Sequence, residues 1–97
     1  MPEIRLKTDQ SEKAIAILRD VMQTEESRLE YVLDVAQKRL AKFEKKYGAS
    51  SEVFINEWAA EDLEGKDLEY VEWAGEIRLA VRLKERLSII KGIKYDA

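Results

Sequence analysis

The chain has 97 residues, 45% of them hydrophobic and 38% charged, with a net charge of −3. That length allows one domain whose small core leaves a second chain as a natural way to finish burial, and the high charge suits helices with solvated outer faces. Cysteine and histidine are both absent, which excludes disulfides, thiolate zinc sites and Cys or His nucleophiles, and limits metal binding to an all-oxygen site for a hard cation.

Residues 1–10 read as an extended arm. Glu3 to Thr8 alternate polar and apolar, with Ile4 and Leu6 on one side. The arm carries charges where a signal peptide needs an apolar stretch, and no run approaches the roughly 18–20 apolar residues of a membrane span, so a cytoplasmic protein is expected. The net negative charge argues against nucleic acid as a partner, since phosphate neutralisation drives such binding.

Asp9, Gln10 and Ser11 offer N-cap oxygens, and no glycine or proline interrupts the chain until Gly48. The spacing predicts a first helix over 11–47, roughly 55 Å long at 1.5 Å per residue. Its weakest point is Thr24-Glu25-Glu26-Ser27, where the apolar stripe has a gap and Thr24 could cap a new helix. Ile15, Leu18, Met22, Leu29, Val32, Ala36, Leu40, Phe43 and Tyr47 recur at three, four or seven and form the seam.

A second helix is predicted over 51–60, capped by Ser50 or Ser51, with Phe54, Ile55 and Trp58 inward. After the linker Leu63-Glu-Gly-Lys-Asp, a third is predicted over 67–91 with Asp67 as its cap and Gly92 as its stop, and residues 92–97 form a short tail. The fold expected is all-α: an antiparallel helical hairpin of long, short and long helices. Gly75, inside the third helix, is expected to mark a close approach opposite Trp58 or Phe43.

Both long helices are apolar on more than one side. Ala14, Ile17, Val21, Tyr31 and Val35 widen the arc of the first, and Ile77, Leu79, Val81, Leu83 and Ile89 spread around the last. This predicts a homodimer, a four-helix bundle, with Ile17, Val21, Tyr31, Val35, Leu79 and Leu83 at its interface.

Charge runs in blocks, +4 over 35–51, −8 over 52–76 and +4 over 77–97. In an antiparallel hairpin the basic Lys38, Arg39, Lys42, Lys45 and Lys46 lie beside Glu69, Glu72 and Glu76. Likewise Asp20, Glu25, Glu26, Glu30 and Asp34 lie beside Arg78, Arg82, Lys84 and Arg86. Such complementarity fixes the direction of pairing more than it adds stability.

The acidic segment 52–76 also holds Phe54, Trp58, Tyr70 and Trp73. Large aromatics among carboxylates read either as a docking surface for a basic protein, through Phe54, Trp58, Tyr70, Trp73, Glu69 and Glu72, or as the cap of the hairpin core with solvated acids around it. Glu69 and Glu72 form an E-x-x-E pair like the magnesium-binding half of all-helical nucleotide pyrophosphohydrolases. The second half is missing, because Ser88 stands three residues after Glu85, so no catalytic residue, metal site or cofactor is assigned.

The run Lys-Phe-Glu-Lys-Lys-Tyr-Gly-Ala-Ser-Ser-Glu-Val-Phe at 42–54, with Tyr-Val-Glu-Trp-Ala-Gly at 70–75 and a closing basic helix, resembles small uncharacterised helical proteins of archaea and cyanobacteria. Some of these are antitoxin-like partners in two-gene toxin–antitoxin modules. The resemblance spans roughly residues 29–91 and implies a non-catalytic protein-binding module that neutralises a small toxin by direct binding. The competing expectation is an assembly subunit of a homo-oligomer, and an all-helical magnesium-dependent enzyme like the nucleotide pyrophosphohydrolases stands third.

Overall fold

A computed structural model describes residues 2–63 and 65–96, with Ala60 and Glu61 described by their backbone alone. Met1, Glu64 and Ala97, which the sequence places in the arm, the acidic linker and the tail, lie outside the described residues. Helix α1 covers Ser11–Tyr47, α2 covers Ser51–Glu57, a single 3-10 turn covers Ala60–Leu63, and α3 covers Asp67–Lys91. The result is a rod of 62 × 25 × 18 Å in which α3 folds back antiparallel on α1.

Helix α1 runs unbroken through Thr24–Ser27. The carboxylates there hold it in place, Glu25 by Arg28 one turn on and by Arg86 of α3 at 3.6 Å, and Glu26 by Lys91 at 3.9 Å. The helix stops where Gly48 takes φ 64°, a left-handed conformation in which glycine avoids the clash of a Cβ.

The cap of α3 differs from expectation, and at α2 one of the two candidate serines takes the role. Helix α3 begins at Asp67 with Lys66 before it, so Asp67 stands in the first turn, where its charge meets the positive end of the helix dipole without capping it. At α2 the two serines divide the work. Ser50 Oγ accepts the Val53 N–H at 3.1 Å as the cap, and Ser51 turns to other use.

Helix α2 is also shorter than the ten residues expected, because Trp58 leaves it in an extended conformation. The Asp62 carboxylate then accepts the Ala59 N–H at 2.7 Å, which turns the chain into the 3-10 segment. Among the described residues the arm has no regular structure, and Ile4 and Leu6 are exposed. The tail instead meets α1, where Arg19 lies over the Tyr95 ring at 5.4 Å and donates to the Tyr95 carbonyl at 3.3 Å.

The interior falls into two clusters. Toward the end where α1 and α3 meet the chain ends, Leu29, Leu83 and Leu87 are buried with Val32, Leu33, Leu79 and Ile90 packed against them. At the closed end Phe54, Leu63, Trp73 and Ala74 are buried beneath Leu40, Phe43, Tyr47, Trp58, Tyr70 and Ile77. Each fully buried large side chain contributes roughly 1.5–3 kcal/mol. Gly75 is exposed and a Cβ there would meet nothing within 4 Å, so the close approach expected at this glycine does not occur.

Candidate functional site

The closed end is an aromatic box built by three elements. Trp73 of α3 is fully buried with its ring stacked on Phe54 of α2 at 3.9 Å and 6°. Phe43 and Tyr47 of α1 stack on the same indole at 5.5 and 5.6 Å, and Trp58 meets it edge-on at 6.1 Å. The indole N–H, which cannot be left dry without cost, donates to Ser51 Oγ at 2.9 Å.

Phe54 and Trp73 therefore form the core and touch no partner directly. Trp58 and Tyr70 are half-buried, and the Tyr70 hydroxyl is turned to the Trp58 carbonyl at 3.4 Å. The box anchors what surrounds it. The face opposite Tyr70, Trp73 and Ile77 on α3 presents Leu68 and Val71, 70% and 64% exposed, between the exposed Asp67 and Glu72. Val53 and Ile55 of α2 are exposed beside Glu52 and Glu57. Leu68 and Val71 were not singled out from sequence, although the helical period that turns Tyr70 and Trp73 inward turns them outward.

The three carboxylates at 69, 72 and 76 separate. Glu69 accepts hydrogen bonds from Lys46 Nζ and the Tyr47 hydroxyl. These bonds, Lys46 first, hold its carboxyl below the usual carboxylate range, while the same carboxylate raises Lys46 and Tyr47. Glu76 pairs with Arg39 at 3.0 Å, and Glu72 is exposed. Among the described residues no three acidic groups converge on a point where a metal ion could sit.

The expected pairing of charge blocks is present in part at both ends of the hairpin, where of Arg78, Arg82, Lys84 and Arg86 only Arg86 pairs with α1 among the described residues and Lys91 makes the other contacts. Lys46–Glu69 and Arg39–Glu76 join the basic end of α1 to the start of α3, and Glu25–Arg86, Glu26–Lys91 and Glu30–Lys91 join its acidic half to the end of α3. Asp34 pairs instead within α1, with Lys38 at 3.0 Å.

The residues expected at a dimer interface divide. Ile17, Val21 and Tyr31 are exposed, Val35 and Leu79 are half-buried, and Leu83 lies in the core of its own chain against Leu29. Leu83 is thereby withdrawn from any interface, because α3 leans its 83/87 edge onto α1. Val21 lines a groove between the two long helices together with Glu25, Arg86, Ile89 and Ile93.

Comparison of the chain with protein-family models, with curated proteins and with solved structures finds no match. Among the described residues no helix is long and apolar enough to cross a membrane.

Proposed function

We propose that this chain is a cytoplasmic, non-catalytic protein-binding module, dimeric in its working form, that holds a small basic protein partner in the manner of an antitoxin holding its toxin. The observation that carries the reading is the acidic, apolar surface around the aromatic box. Leu68 and Val71 stand exposed between Asp67 and Glu72 at the start of α3, with Val53 and Ile55 of α2 exposed beside Glu52 and Glu57. Exposed apolar groups rimmed by charge of one sign mark sites where a partner of opposite charge is first steered and then anchored.

The rigid box beneath supports this use. Trp73 and Phe54 fix the start of α3 against α2, so the surface is presented with little ordering cost on binding. Co-expression with the product of the neighbouring gene tests the reading. Co-purification is expected for the native chain and its loss for Leu68→Asp/Val71→Asp, and a partner that never co-purifies overturns it.

A further inference from the structure

One flank of α1 repeats its apolar positions in both directions. In steps of three and four it presents Ile17, Val21, Thr24, Arg28, Tyr31 and Val35. About a point midway between Thr24 and Arg28, Ile17 mirrors Val35, Val21 mirrors Tyr31 and Thr24 mirrors Arg28. Three of its four large apolar members are exposed, Tyr31 at 71%, Ile17 at 63% and Val21 at 54%, and Val35 is half-buried. A face that is its own complement on reversal is what a twofold interface requires.

We infer that this face binds a second copy of the chain, α1 against α1 and antiparallel, in the register that places Ile17 on Val35 of the second copy and Val21 on Tyr31 of the second copy. The inference gives a geometry to the dimer in the function proposed above and rests on that part of the reading. Charge selects it over the alternatives. A parallel pair would stack Arg28 on Arg28 and Lys38 on Lys38, whereas the antiparallel register sets Arg28 against Thr24 and Lys38 against Ala14.

At the axis, Glu25 and Arg28, already paired within one chain, come level with the same two residues of the second copy, so that each Arg28 lies about one residue from the opposite Glu25 and flanks the two neighbouring Glu25 carboxylates. At the margin Asp20 nears Asp34 of the second copy, whose charge Lys38 partners at 3.0 Å. Sliding the helices by one heptad in either direction sets Arg28 against Ile17 or against Tyr31, so only this register pairs the four large apolar residues entirely with one another. Helix α3 offers no such match, because the exposed Arg78 and Arg82 stand between Val71 and Ile89.

The absence of native cysteine makes the register directly testable. Ile17→Cys and Val35→Cys are prepared separately, checked for helical circular dichroism, and oxidised mildly alone and as a mixture. Two copies of position 17 lie about 27 Å apart along the axis in this arrangement, so neither variant alone forms a disulfide-linked dimer, while the mixture forms the mixed one.

Tyr31→Glu in the native background is expected to raise the dissociation constant of the dimer by roughly 30-fold or more, as loss of an interface aromatic does. Either variant cross-linking alone as readily as the mixture overturns the register while leaving a dimer standing. A single-chain mass by sedimentation equilibrium at the cross-linking concentration overturns self-association altogether. Co-purification of a basic partner is read separately and is not decided by either result.

Discussion

Ser51→Ala removes a single oxygen and should cost more than its exposure implies. The hydroxyl receives the indole N–H of Trp73 at 2.9 Å, and that indole is fully buried between Phe54, Phe43 and Tyr47. Without the acceptor a buried donor is left unmade, a penalty of about 1–3 kcal/mol. Alanine returns a few tenths of a kcal/mol through its helix propensity, so the net loss is about 1–2 kcal/mol. For a chain of this size, stable by roughly 5–15 kcal/mol, that is a large fraction.

Trp73→Phe removes the donor together with part of the ring and costs about 2–3 kcal/mol through the cavity it leaves. In that background Ser51→Ala should be nearly neutral, because no N–H remains to be orphaned. The double-mutant cycle therefore predicts a coupling of about 1–2 kcal/mol. Urea unfolding followed by circular dichroism at one fixed protein concentration measures it, with a midpoint shift of about 1 M for Ser51→Ala alone. Equal costs of Ser51→Ala in both backgrounds would show that the serine acts through α2 itself and not through the indole.

Three further outcomes are expected. Gly75→Ala should stabilise the chain by about 0.5–1 kcal/mol in the same unfolding assay, since the residue is mid-helix, exposed and free of any neighbour that a Cβ would strike. Leu83→Ala should destabilise by about 2–4 kcal/mol, with no change in the dissociation constant of any dimer measured by sedimentation, because its side chain packs on Leu29 of its own chain. The third concerns pH. Glu69 is depressed by Lys46 and Tyr47, so its contribution is present above the ordinary glutamate value of about 4.3 and is lost as pH falls through the folded value. Lys46 and Tyr47 are raised, so theirs is present below about pH 10 and is lost as pH rises through their folded values. Melting temperatures of Glu69→Gln should be flatter than those of the native chain in both windows.

The helices were legible because their signals are long. The 37-residue α1 and 25-residue α3 each repeat their seam over several turns, and Gly48 marks the end of α1 unambiguously. The direction of pairing was legible in the charge blocks. Side-chain orientation in the short elements was not. Over the seven residues of α2 the period barely completes two turns, so Ile55 read as inward and is exposed, and nothing in the local sequence says that Trp58 leaves the helix. The aromatic set at 54, 58, 70 and 73 was readable as a cluster, but whether it faced in or out depends on a contact between elements far apart in sequence. Leu83 shows the same limit. Both edges of α3 are apolar, and only packing against Leu29 decides which one is covered.

The two interior clusters sit at different distances from the closed end of the rod, and they are not equally braced. The aromatic box is tied by three helices at once, whereas the Leu29, Leu83 and Leu87 cluster is held by two helices and the clasp of Arg19 on Tyr95. Opening should therefore begin at the two-helix end and travel toward the box, as the arms of a tweezer part from their tips. Amide hydrogens near Ile17 and Ile90 should exchange with solvent well before those near Phe43 and Trp73. A ligand lying along α1 would then act as a splint for the looser end, slowing exchange there while leaving the box unchanged.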